Sequence, residues 1–144
     1  MKRGFTLIEL AVTLFVLALG VAVAAPSLAR GLDTVRTRAE TAGIATFLRA
    51  AREKAITSNR PYEVRVKTEE GVIELRKGET VLASRRIALG VRVIADAPTS
   101  SAVTFLPQGV SSGARLRVEG PGSRTYLVTV DALTGRVATR RSDT

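Results

Sequence analysis

The chain has 144 residues, enough for one apolar anchor and one compact region of about a hundred residues, but not for two globular domains. It contains no cysteine, histidine or tryptophan, which excludes a disulfide framework, thiol chemistry, the usual general base and the commonest metal ligand. The net charge of +9 leaves two readings open: a polyanionic partner such as nucleic acid or anionic lipid, or an arginine-rich composition with no binding role.

The first nine residues, Met1-Lys2-Arg3-Gly4-Phe5-Thr6-Leu7-Ile8-Glu9, open an apolar run that reaches Ala25 with Glu9 as its single charge. As a helix, Phe5 to Ala25 would be roughly 31 Å long, about the thickness of a bilayer's hydrocarbon core. Lys2 and Arg3 hold the short N-terminal end in the cytoplasm, which places the rest of the chain across the membrane. Glu9 is the unusual residue. A carboxylate inside a membrane helix costs on the order of 3 kcal/mol, so a functional role is the default reading.

Gly4-Phe5-Thr6-Leu7-Ile8-Glu9 resembles the type IV prepilin signature of pilins and of the pseudopilins of type II secretion. The resemblance implies cleavage between Gly4 and Phe5 by a membrane prepilin peptidase, N-methylation of Phe5, and a contact from Glu9 to the Phe5 amine of another subunit. Two plainer readings compete. Ala22-Val23-Ala24 before Ala25 would serve as a secretory cleavage site releasing a soluble domain, and the run would also serve as an uncleaved anchor. Neither accounts for Glu9.

Past Ala25, Pro26 should bend the helix without ending it. Leu28, Leu32, Val35, Ala39 and Ala42, then Phe47 or Leu48, Ala51 and Ala55, recur at three-four spacing, so that stripe is expected against a core. Arg36, Arg38, Glu40, Arg49, Arg52 and Glu53 mostly fall off it, Gly31 and Gly43 weaken it, and Ser58-Asn59-Arg60-Pro61 stops it. From Tyr62 the period becomes two. Strands are expected at 62–67, 72–76, 80–86, 91–95, 102–106, 115–119, 125–131 and 136–141, separated by Gly- and Pro-containing turns. The fold class is α+β: a long N-terminal helix, half of it an anchor, packed on antiparallel β-sheet.

Two further stretches extend the resemblance. Phe47 to Ile56 followed by Asn59-Arg60-Pro61, and Thr104-Phe105-Leu106-Pro107-Gln108-Gly109, are similar to the helix end and the Phe-x-Pro-x-Gly element of GspH/FimT-type minor pseudopilins. The chain then divides into a leader at 1–4, a transmembrane or filament-core helix at 5–25, the amphipathic half of the helix at 26–60 and a periplasmic sheet domain at 61–144.

No catalytic constellation is present, so no enzyme activity, cofactor or metal site is expected. Glu69-Glu70 reads as a solvated turn, and the glycine-rich stretches lack phosphate-loop spacing. In the last strand, period two puts Arg136, Ala138 and Arg140 on one face and Val137 and Thr139 on the other, with Arg141 following. Guanidinium groups on an exposed edge can neutralise phosphates. The Gly-Arg-x-Arg element that FimT-type proteins are thought to use for DNA is matched in part, since Ala138 stands at its second arginine. Edge protection is the preferred reading of Arg136, Arg140 and Arg141. The expected protein is a minor pilin or pseudopilin of the inner membrane, with prepilin peptidase, other pilin subunits and membrane lipid as partners. The alternative is a DNA-binding minor pilin of a competence pilus.

Overall fold

The computed structural model describes residues 6–96, 101–121 and 124–142, without the side chains of 25–30. A single helix, α1 (Leu7–Thr57), is followed by eight strands: β1 (Tyr62–Lys67), β2 (Val72–Lys77), β3 (Thr80–Arg86), β4 (Arg92–Ala95), β5 (Ala102–Phe105), β6 (Ala114–Gly120), β7 (Arg124–Val130) and β8 (Val137–Ser142). Thr6 caps the helix start: extended in backbone, it accepts from the Glu9 N–H at 3.3 Å through Oγ1. At the far end Asn59 takes a left-handed conformation at φ 50°. Its N–H donates to Ile56 O and that of Arg60 to Ala55 O, the paired bonds of a Schellman stop, and Pro61 forbids continuation. The helix continues through Pro26 without ending, as expected; the Gly4–Phe5 junction and the end of the Asp96-Ala97-Pro98 turn lie outside the described residues.

The strands form two antiparallel sheets, ordered β3-β2-β1-β5 and β4-β6-β7-β8. The chain crosses to the second sheet at β4 and returns for β5, which pairs with β1, before completing the second sheet. Both sheets meet the upper part of the helix around one core. Ile44, Leu48, Ala51 and Ala55 of α1 are buried together with Val64, Ile73 and Phe105 of the first sheet and Val93, Leu116, Val118 and Val128 of the second. Every expected strand is present, with ends shifted by one residue at most.

The expected packing face of the lower helix is corrected. Leu32 is 61% and Val35 66% exposed, and Ala39 and Ala42 are also exposed, whereas Thr37, Glu40 and Thr41 are buried. From Val35 to Ile44 is nine residues, two and a half turns at ~3.6 residues each, so the two lines lie on opposite sides of the helix. The sheets seat on Ile44, Leu48, Ala51 and Ala55, and that line extended downward passes through Thr41 and Thr37. Their hydroxyls bury at little cost because they donate to the carbonyls of Thr37 and Asp33, both at 2.8 Å. Spacing alone selected the more apolar of two equally periodic faces.

Candidate assembly site

The first half of the helix presents an exposed apolar surface. Leu7–Ala24 is long and apolar enough to cross a membrane, and none of it is covered by the rest of the chain. Glu9 lies in its first turn, where a carboxylate is favoured by the helix dipole. Its main chain is fully engaged, the N–H with Thr6 and the carbonyl with the Thr13 hydroxyl at 3.0 Å. Its carboxylate has no partner among the described residues. Above the span, Leu32, Val35, Ala39 and Ala42 carry the exposed apolar line to the level of the sheets.

The sheet domain grips the helix at three places that the sequence reading did not single out. Glu40, taken as a solvated residue, is 8% exposed and paired with Arg85 of β3, Nη2 donating to Oε2 at 3.0 Å. Nη1 and Oε1 are 2.9 Å apart as an ion pair, without the alignment of a hydrogen bond. The guanidinium lies in the space that a side chain at position 43 would fill, so Gly43 is a packing residue as well as a weak helix former. Lower down, Gly120 approaches so closely that a Cβ there would collide with Thr37. At the top, Arg52 is half-buried and its Nε donates to Gly109 O at 3.0 Å. A Cβ at Gly135 would lie 2.8 Å from that Nε, and Gly135 has φ 61°. One guanidinium thus pins the helix to both the Pro107-Gln108-Gly109 loop and the β7–β8 turn. Asp131 shapes that turn: its carboxylate accepts from the Thr134 N–H at 2.8 Å, the Thr134 hydroxyl and the Leu133 N–H. The Thr134 bonds, chiefly, hold its pKa below the usual carboxylate value. The helix-to-turn spacings Arg52–Gly109–Gly135 were visible in the sequence only as separate glycines.

The three C-terminal arginines do not form one row. Arg136 precedes β8 and shares the outer face with Arg140, while Arg141 lies in register with Tyr126 on the face that holds buried Val137. Tyr126, expected in the core, is half-buried and packs against it. Arg49, from the helix, donates to Val137 O at 3.2 Å and ties the start of β8 down. Arg141 therefore faces the helix side beside Arg38 and Arg124, in a groove with different neighbours from those of Arg136. Among the described residues no cluster of metal-binding side chains is present.

A long helix with an apolar, membrane-length lower part and an upper face covered by a two-sheet domain is the architecture of a type IV pilin-like subunit. The profile described as Type II transport protein GspH matches residues 40–134, and the prokaryotic N-terminal methylation motif matches residues 1–25. The chain belongs to the GspH family. It is 28% identical over 138 residues to the type II secretion system protein H of Xanthomonas campestris pv. campestris, covering 94% of this chain and 81% of that protein. Its fold is similar to that of the minor pseudopilin EpsH of Vibrio cholerae, with a TM-score of 0.61 at 13% identity over 74% of this chain and 97% of that one. It is similar also to that of the type IV minor pilin FimU of Pseudomonas aeruginosa, with a TM-score of 0.61 at 10% identity over 74% and 98%. At these identities the two structures bear on the fold alone.

Proposed function

We propose that this chain is a minor pseudopilin of a type II secretion system, stored in the inner membrane by residues 5–25 and incorporated into a short helical filament. The reading is carried by one observation: the apolar residues Leu7–Ala24 of α1, and above them Leu32, Val35, Ala39 and Ala42, are left uncovered by the chain's own domain. In the bilayer lipid would cover the lower part; above it, burial would come from the helices of neighbouring subunits. Prepilin peptidase would cut between Gly4 and Phe5, and the new Phe5 amine, four residues before Glu9 in sequence, would be methylated. A Glu9 carboxylate without a partner among the described residues would be neutralised by the amine of an adjacent subunit, so insertion would depend on that charge pair and on the axial stagger it sets. The N-terminus would be cytoplasmic, and the sheet domain, 61–144, periplasmic and outward-facing.

Intact mass and N-terminal sequencing of the protein from its native membrane test this. A chain beginning at Phe5 with the mass of one added methyl group is expected. A chain beginning at Ala25 would show secretory cleavage and end the filament reading. Glu9→Ala should still insert in the membrane yet fail to enter the filament, and normal incorporation would refute the charge pair. The DNA-uptake alternative is not favoured, since Arg136 lines a different hollow from Arg140 and Arg141.

A further inference from the structure

At the lower end of the sheet domain a groove of about 590 Å³ opens between α1 and the strands β7 and β8. Arg38 of the helix, Arg124 of β7 and Arg140 and Arg141 of β8 line it, with no carboxylate among the described lining residues. Arg38, Arg124 and Arg140 join none of the ion pairs among the described residues, in contrast to Arg65, Arg76, Arg85 and Arg117, each of which has a carboxylate partner. Like charges gathered in one concavity raise the local potential and are destabilising unless an anion neutralises them. The groove also runs beside an open sheet edge: β8 is the outer strand of its sheet, hydrogen-bonded to β7 on one side and to no strand on the other.

We infer that this groove docks an extended acidic segment of a partner polypeptide, which adds as a strand to the free edge of β8 while its carboxylates pair with Arg38, Arg124 and Arg140. Both halves of the site point to a peptide. An added strand supplies the backbone N–H and C=O groups that an edge lacks, and its side chains alternate between the two faces, reaching Arg140 on one and the helix-side arginines on the other. A nucleic acid has no groups to complete the strand ladder, and the single ring in the groove, Tyr126, is packed against the core and offers little face for base stacking. Lipid headgroups are out of reach. Arg38 is fourteen residues beyond Ala24, about 21 Å along the helix, whereas the interfacial layer extends only about 5–8 Å past the hydrocarbon. The inference names the kind of partner that the outward domain of the proposed subunit would meet. Its test reads binding rather than assembly, so it can fail while the filament reading stands.

The full chain in detergent micelles would be titrated, at low and at physiological salt, into a fluorescein-labelled peptide of Glu-Glu-Thr-Thr repeats, which carries glutamates on both faces of a strand, and separately into an oligothymidylate of equal charge. Salt-sensitive binding of the peptide, with slowed amide exchange along β8, is expected. In the triple variant Arg38→Ala, Arg124→Ala, Arg140→Ala affinity should fall about tenfold or more, three ion pairs being removed. Arg92→Ala on the opposite edge strand, β4, should leave it unchanged. Binding of the oligothymidylate in preference to the peptide, an unaltered affinity in the triple variant, or unchanged exchange along β8 would each overturn the proposal.

Discussion

Glu40 of the helix and Arg85 of β3 form a bidentate pair at the boundary between the helix and the outer strand of the first sheet, with contacts of 3.0 and 2.9 Å. Removing Arg85 would leave a buried carboxylate whose solvation nothing replaces, and removing Glu40 would leave the guanidinium over bare helix backbone at Gly43. Glu40→Ala and Arg85→Ala should each cost about 2 kcal/mol, less than a wholly buried pair because Arg85 is partly solvated. A double-mutant cycle by chemical denaturation should show strong coupling, with the second substitution costing much less than the first. Additive losses would mean that the two side chains act separately.

Glycine substitutions separate packing from backbone strain. Gly78 and Gly135 share nearly the same φ, 57° and 61°, but Gly78 has open space where a Cβ would lie and Gly135 has Arg52 and Gly109. Gly78→Ala should cost about 1 kcal/mol, the left-handed penalty alone. Gly135→Ala should cost clearly more, because Arg52 must leave the Gly109 carbonyl. Equal losses in melting experiments would remove Arg52 from its role as the pin between helix and turns.

Val35→Asp tests the uncovered line of the helix. The side chain is 66% exposed in the single subunit, so the melting temperature of the sheet domain should stay within the small range of surface changes. Incorporation into filaments, scored by co-sedimentation, should be lost, since a carboxylate would be buried between helices. Incorporation at the normal level would show that this face does not pack in the assembly.

Acid should loosen the β7–β8 turn. Asp131 has a folded pKa below its unfolded value, so its contribution is present above the unfolded value, near 3.9, and is lost as the pH falls through the folded one. The protection of the Leu133 and Thr134 amides against exchange, corrected for the intrinsic pH dependence of exchange, should therefore fall below about pH 4 and be flat above about pH 5. Asp131→Asn should remove this dependence, and an unchanged acid response in that variant would assign it to other carboxylates.

The elements of this fold were legible in the sequence because each is set locally. The Ser58-Asn59-Arg60-Pro61 stop, period-two alternation from Tyr62 and glycines at the hairpins are short-range signals, and they fall where the helix ends and the strands begin and end. The anchor and Glu9 are legible for the same reason: length and a single carboxylate need no tertiary context.

Which helix face meets the sheets was not legible. Leu32, Val35, Ala39 and Ala42 and the opposite line through Thr37, Thr41 and Ile44 have the same period, and the choice belongs to strands that come up to a hundred residues later. The Glu40–Arg85 pair spans 45 residues and the Arg52–Gly109 bond 57, distances over which sequence carries no spacing rule. Likewise, Arg38, Arg124 and Arg140 share a groove only because β8 returns beside β7 and the helix crosses both. By itself the sequence determined the apolar N-terminal run, the helix end, the strand ends and the family resemblance, through interactions between near neighbours. Only the tertiary structure decided which charges are buried, which apolar face stays bare and which arginines meet, since burial and Coulomb energy depend on distance in space.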